Sequence, residues 1–343
     1  MLTAEFDYAL PPERIAQEPL AQRDSSRMLV VDGDGSLHDR RFVDLPELLR
    51  PGDLLVVNDT RVRHARLRGE TERGREVEVL VVERRADGSY LCLTRPAKHV
   101  QPGACVRIGD ELEASVIAVA GEHAGARLVR FHARDVEAAI ERAGAAPLPP
   151  YIHRHLNDPE RYQTLYARGA PSSAAAPTAG LHFTPAVRER LQGAGIHWST
   201  VQLQVGLATF TPIRAQSIES HRMHQESFTL EPETATAIEA ARRRGGRVIA
   251  VGTTVMRVLE TCADGGDRVS PQDGVTSLYI RPGHTFQVAD GLLTNFHQPR
   301  SSLLVLLAAF IGEDAWRAAY AHALDDGYRF LSFGDCMLCW RRT

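Results

Sequence analysis

Four histidines and one glutamate carry the side chains best suited to moving protons in this chain: His182, His221, His224, His297 and Glu226. Imidazole titrates near neutrality, so each histidine is a candidate acid or base. His221-x-x-His224-x-Glu226 also offers nitrogen and oxygen donors that zinc accepts. Its spacing is not the His-Glu-x-x-His of a metalloprotease helix, so a metal-dependent hydrolase stands as an alternative and solvated polar residues as the plainer reading. Cys336-x-x-Cys339 has redox or zinc-knuckle spacing, yet no second pair accompanies it and Met337, Leu338 and Trp340 flank it. Those neighbours point to core packing.

Three further stretches suit ligand binding. In "AAAPTAGLHF", Ala174 to Phe183, the small residues with Pro177, Thr178, Ala179 and Gly180 allow a backbone to come close to a ligand ahead of a helix. Gly252-Thr253-Thr254 lies between an apolar run and a helical pattern, where open α/β sheets bind ligands. It lacks the Gly-Lys-Ser/Thr of a phosphate loop, which argues against ATP hydrolysis. Asn58-Asp59-Thr60-Arg61 likewise follows an apolar run and is read either as a ribose or base contact or as a plain Asn/Asp turn.

The elements that must position these residues are legible from pattern. Leu54 to Val57 is a buried-strand run after the Pro51-Gly52 turn. Between 69 and 149 come short strands at Val77 to Val82, Tyr90 to Thr94, Val106 to Ile108, Leu112 to Val119 and Arg127 to Phe131, which suggest a small barrel or sandwich. A helix from Asp135 to Arg142 ends at Gly144, before the stiff Pro147-Leu148-Pro149-Pro150 segment. Beyond Tyr151, helices and strands alternate: Thr184 as an N-cap with Pro185 behind it, a strand at Trp198 to Val205, a helix at Glu233 to Arg243, a strand at Val248 to Val251 and a helix at Val255 to Cys262. Helices near Ser302 to Phe310 and Asp314 to Leu324 precede a last strand, Tyr328 to Phe333. The predicted architecture is a discontinuous α/β domain, residues 1–68 and 150–343, interrupted by a β-rich domain at 69–149.

Composition narrows the classes. Of 343 residues, 43% are hydrophobic and 24% charged, which excludes disordered, collagenous and coiled-coil chains. A net charge of -3 gives no whole-molecule attraction to nucleic acid. The stretch from Arg61 to Arg107 is locally basic, and Arg61, Arg63, Arg66 and Arg68 alternate as a strand would project them. Lys98 is the one lysine among 40 basic residues, an ammonium in a chain otherwise written in guanidinium. The longest apolar run, Leu303 to Ile311, is far short of the ~20 residues of a membrane span, and "MLTAEFDYAL" lacks a basic leader region. The expected location is the cytoplasm.

The motifs together resemble the S-adenosylmethionine:tRNA ribosyltransferase-isomerase family of queuosine biosynthesis. The resembling text includes "PGDLLVVNDTRV" at Pro51 to Val62, "RPAK" at Arg95 to Lys98, "PLPPYI" at Pro147 to Ile152 and "AAPTAGLHFT" at Ala175 to Thr184. "VGTTVMRVLE" at Val251 to Glu260, "LTNFHQPRSSLL" at Leu293 to Leu304 and "YRFLSFGDCML" at Tyr328 to Leu338 complete it. The resemblance implies transfer and isomerisation of the ribosyl part of S-adenosylmethionine onto 7-aminomethyl-7-deazaguanine at the tRNA wobble position, giving epoxyqueuosine and releasing adenine and methionine. It implies a small antiparallel β-barrel inserted in the mixed α/β domain, with tRNA and S-adenosylmethionine as partners, no metal and no cofactor beyond the consumed substrate. Catalysis then falls to His182, His224, Glu226 and His297, with His182 first. Binding falls to Asn58, Asp59, Arg61, Arg95, Lys98, Pro177, Thr178, Ala179, Gly180, Gly252, Thr253, Thr254, Asn295 and Arg300. Lys98 is expected to touch tRNA or a carboxylate. The family's usual "LHVGLGTF" is "LQVGLATF" here, with Gln204 and Ala208 in place of a histidine and a glycine. Those departures motivate a second alternative, a weakened paralogue that only binds tRNA.

Overall fold

In the computed structural model, which describes residues 1–120, 125–206, 211–265 and 268–342, the least interrupted apolar runs become the centre of a mixed sheet. The strands in chain order are β1 Arg27–Val31, β2 Leu37–Arg41, β3 Leu54–Asn58, β4 Arg66–Thr71, β5 Glu76–Arg84, β6 Tyr90–Arg95, β7 Cys105–Ile108 and β8 Leu112–Val119. They continue with β9 Ala126–His132, β10 His197–Leu203, β11 Glu226–Leu230, β12 Val248–Val251, β13 Gln272–Thr276, β14 Gly291–Asn295 and β15 Cys336–Trp340. Nine of them form one sheet in the order β13-β11-β10-β3-β12-β14-β15-β1-β2, and β4-β5-β6-β9-β8-β7 close a barrel. The mixed sheet with an antiparallel barrel is the architecture expected from the sequence.

The chain divides into two compact units, residues 1–61 with 149–169 and 176–343, and residues 62–148 with 170–175. In the second unit every barrel pairing is antiparallel. β8 shows why: Leu112, Ala114 and Val116 are buried while Glu113 and Ile117 between and beyond them are exposed, the period of two that one-sided burial requires. After the short helix α1, Leu45–Leu48, of the first unit, helix α2, Val136–Ala143, starts where the Asp135 carboxylate accepts from the Ala138 N–H at 3.1 Å.

In the first unit β10, β3, β12 and β14 run parallel, and β3, β12 and β14 are buried along their whole length, so their text is continuous rather than alternating. The connecting helices are α3 Pro185–Gly193, α4 Pro232–Arg243 and α5 Thr253–Thr261. α6 Ser302–Ile311 and α7 Glu313–Asp325 follow β14. Leu55, Val57, Phe183, Ile249, Val251, Leu293 and Leu338 meet in one buried cluster.

One expected strand is wrong. Tyr328 to Phe333 forms no strand; Leu331 takes φ +69°, Gly334 donates back to its carbonyl at 2.9 Å, and the chain turns before β15 begins at Cys336. Its alternation reflects aromatic side chains tucked into the core at a turn, and its one pairing is an isolated bridge from Phe330 to Ile15. Cys336 and Cys339 are buried in β15 as packing residues, both free thiols.

Candidate active site

The carboxyl ends of β10, β12 and β14 converge on one cleft, as expected at the strand ends of an open α/β sheet. Its space, counted to the open mouth, is about 630 Å³, and Ala176 to Ala179, Val205, Gly252 to Thr254, Thr294 to Gln298 and Leu331-Ser332 line it. Of the sequence candidates it gathers Pro177, Thr178, Ala179, Gly252, Thr253, Thr254, Asn295 and His297.

Each wall has a local cause. Gly252 sits at φ +96° between β12 and α5, a conformation that favours glycine, and its N–H donates to Leu293 at 2.7 Å. That turn aims the first amides of α5 at the cleft, where they lack intrahelical partners and favour an anion. Thr254 Oγ1 is buried there with no hydrogen bond. Thr178 to His182 form a single 3-10 turn after Pro177. Gly180 is a packing requirement rather than a ligand contact, because a Cβ there would strike the Tyr166 hydroxyl.

At the end of β14 the side chains form a network. Thr178 Oγ1 donates to Asn295 Oδ1 at 2.8 Å, and Asn295 Nδ2 reaches His182 Nε2 at 3.1 Å and the Asp335 carbonyl at 3.3 Å. His182 Nδ1 lies 2.8 Å from Ser26 Oγ, and its ring stacks on Phe42. Burial pushes the His182 pKa down to about 4, opposed in part by a hydrogen bond to the Arg23 backbone. His182 does not line the cleft; it borders a smaller adjoining pocket with Arg23, Ser26 and Arg161.

His297 does line the cleft, and burial pushes its pKa down to about 3. Its backbone is pinned between two tyrosines, donating to the Tyr320 hydroxyl at 2.8 Å and accepting from the Tyr8 hydroxyl. Nε2 pairs with Thr294 Oγ1 at 2.9 Å, which leaves Nδ1 without a hydrogen-bond partner among the described residues.

Other candidates lie elsewhere. Glu226 is buried in an ion pair with Arg257 and accepts from the Gly206 N–H at 3.0 Å, so its carboxylate is spent on structure. His224 is exposed, and His221 packs edge-on against Tyr279. Among the described residues these three form no ligand cluster, so nothing in the geometry favours the metal-hydrolase alternative; the one such group, Asp39, His322 and Asp326, is already bonded to Arg27 and Tyr328. Asn58 is likewise occupied, bridging β3 to β10 through both atoms of its amide with Leu203 at 3.0 and 3.1 Å. Asp59 is buried in an ion pair with Arg168. Arg61 pairs with Glu160 at 3.1 Å, and exposed Arg300 pairs with Asp7. Exposed Arg95 ends β6, and exposed Lys98 lies in the turn after it; both belong to the barrel unit. Gln204 is exposed, and Ala208 lies outside the described residues.

Pattern reasoning passed over Tyr151 and Ser332, whose hydroxyls meet at 2.8 Å on the cleft wall. The motifs "PLPPYI" and "FLSF" contained them, but only the fold brings residues 181 positions apart together. Leu331 beside them holds a left-handed backbone, a strain of the kind that concentrates at functional sites.

A family model described as "Queuosine biosynthesis protein" matches residues 3–339. A relative from Azoarcus sp. (strain BH72), named S-adenosylmethionine:tRNA ribosyltransferase-isomerase, is 50% identical over 344 residues, covering 98% of this chain and 97% of its own. A relative of the same name from Gloeobacter violaceus is 50% identical over 338 residues, covering 98% and 95%. The crystal structure of an S-adenosylmethionine tRNA ribosyltransferase from Thermotoga maritima, 35% identical, aligns with a TM-score of 0.55 over 98% of this chain and 99% of that one.

Proposed function

The chain belongs to the queuosine biosynthesis protein family, and on that premise we propose that the cleft at the ends of β10, β12 and β14 is where it holds S-adenosylmethionine. The protein is an S-adenosylmethionine:tRNA ribosyltransferase-isomerase, moving the ribosyl moiety onto the 7-aminomethyl-7-deazaguanine of the tRNA wobble position and releasing adenine and methionine. The observation that carries the site is the meeting of three motifs distant in sequence, "PTA", "GTT" and "TNFH", around a single cleft.

The substrate's sulfonium acidifies the neighbouring ribose C5′ protons, so a placed base can remove one and set off departure of adenine, whose leaving nitrogen needs a proton. His297 is the base the geometry favours. It faces the cleft, burial keeps it neutral, and Nδ1 is unspent. The amides at the start of α5, with Thr254, suit the carboxylate of the methionine portion. The aminomethyl group must then attack as the neutral amine, a form that desolvation on entering the cleft or a nearby base would favour. No further cofactor enters this scheme. Arg95 and Lys98 on the barrel are assigned to the tRNA backbone, where lysine serves as a compact charge. We assign the protein to the cytoplasm, in keeping with a tRNA substrate.

The test incubates purified protein with S-adenosylmethionine and precursor tRNA and follows adenine release. Wild type releases adenine, and the activity survives exhaustive chelation. His297→Gln is expected to lose about 100-fold or more in kcat with adenosyl affinity nearly unchanged. Retained turnover would remove His297 from the role of base. Absence of adenine release by the wild type would instead favour the tRNA-binding paralogue.

A further inference from the structure

We infer that His182 is a positioning residue: a neutral imidazole whose Nδ1–H and bare Nε2 fix the orientation of the Asn295 amide, and through it make the Thr178 hydroxyl a hydrogen-bond acceptor toward the cleft. This rests on the reading of that cleft as the adenosyl site. The hydrogen-bond directions form a closed chain. Thr178 Oγ1 sits 2.8 Å from Asn295 Oδ1, which can only accept, so the Thr178 proton points away from the ligand space. Asn295 Nδ2 has two protons, one directed to the Asp335 carbonyl at 3.3 Å and the other to His182 Nε2 at 3.1 Å. Nε2 must therefore be the acceptor, and the ring proton sits on Nδ1, facing Ser26 Oγ at 2.8 Å.

The chain works only in this polarity. A proton on Nε2 would oppose the Asn295 N–H, turn the amide over, and bring its NH2 against Thr178. The Thr178 hydroxyl would then donate into the cleft instead of accepting from it. A ligand donor, such as a ribose hydroxyl or an exocyclic amine, would lose its partner. His182 is held against this change by the Phe42 ring stacked at 5.3 Å and by its own burial at the end of the 3-10 turn. Having both nitrogens engaged and no place on the cleft wall, it acts on substrate through Asn295 rather than by carrying a proton.

Two measurements test this. Nitrogen-15 NMR of the imidazole rings in the full-length wild type, with His182 assigned by its loss in a variant, should find Nδ1 protonated and Nε2 bare from pH 5 to 8. A doubly protonated ring or the opposite tautomer overturns the proposal, and this readout needs no turnover. In steady-state adenine release, His182→Gln supplies an amide oxygen to Asn295 but cannot titrate. It should keep kcat/KM within about 10-fold of wild type with an unchanged pH profile, while His182→Ala falls by about 100-fold, mostly in KM. If Gln is as damaged as Ala and the acidic limb of the profile disappears, His182 carries a proton and the proposal fails. Wild type that releases no adenine, yet has the Nδ1–H tautomer, would defeat the adenosyl reading and leave the network assignment standing.

Discussion

The two ends of the same parallel strands treat polar groups in opposite ways. At the amino ends of β3, β12 and β14, every carboxylate is closed off. Asp53 accepts from the backbone N–H of Arg50 at 2.9 Å and of Arg247 at 2.8 Å and from the Arg247 guanidinium at 2.6 Å, while that guanidinium also lies 3.8 Å over Trp340. Asp290 binds Arg242 at 2.6 Å and the Val248 N–H at 2.8 Å. At the carboxyl ends, by contrast, Thr254 Oγ1 and His297 Nδ1 have no partner among the described residues. Closed polar groups hold a sheet together. Open ones in a formed cleft are available to a ligand, because pairing them recovers the free energy that an unpaired polar atom costs.

The strongest way to break this contrast is Asp53→Ala. Removing Asp53 leaves two backbone N–H groups and the half-buried Arg247 without their acceptor, and the expected loss is about 1 to 3 kcal/mol of unfolding free energy. Denaturant melts measure that loss. Adenine release per folded molecule at low temperature should stay near wild type. A large fall in kcat with little change in stability would mean that the amino ends take part in catalysis and that the contrast is false.

How much of this was legible in the sequence depends on the range of the interaction. β8 and β12 were readable residue for residue, because burial on one face or both faces writes itself into neighbouring positions. β2 and β13 were missed because "LHDRR" and "QDGVT" are exposed edge strands with no apolar signature, while β1, β14 and β15 went unnamed although they are buried and apolar, because runs of five residues do not declare their type. The fold class and the cleft motifs followed from resemblance and from small-residue loops. The roles within them did not. That Asn58 is spent on Leu203, and Glu226 on Arg257, depends on partners 145 and 31 residues away, which no local pattern encodes. His182 looked like a proton carrier because of its motif, while its hydrogen bonds reach Ser26 and Asn295 in two other segments.

The two ends should also separate by pH. A histidine whose folded pKa lies below its unfolded value of about 6.5 takes up its proton only on unfolding, so acid favours the unfolded chain. His182, held near about 4, and His297, near about 3, should each drain stability as pH falls below 6.5, by up to ~1.4 kcal/mol per pH unit. Asp53 has the opposite window. Burial alone would raise its pKa, but the bonds from Arg247 and Arg50 outweigh that and hold it below its ordinary value. Its contribution is therefore complete above about pH 4 and is lost only below it. Urea melts from pH 7 to 3 should show a decline beginning near 6.5 that is shallower in His297→Gln, and a further fall below 4 that is missing in Asp53→Asn. A flat profile between 6.5 and 4.5 would mean that His182 and His297 are not held neutral.

The finest test is Thr254→Val, which trades a hydroxyl for a methyl of similar size at the mouth of α5. If Thr254 Oγ1 is unspent, the protein loses no hydrogen bond, and stability should hold or rise by under about 1 kcal/mol. The adenosyl ligand should lose one bond, weakening its Kd by about 2- to 13-fold, the equivalent of 0.5 to 1.5 kcal/mol. Calorimetric titration and a thermal melt on the same sample read both quantities. The sign pattern matters more than the size. A destabilised variant with unchanged affinity would place Thr254 with Asp53 and Asp290 among the closed groups, and the contrast between the ends would then rest on His297 alone.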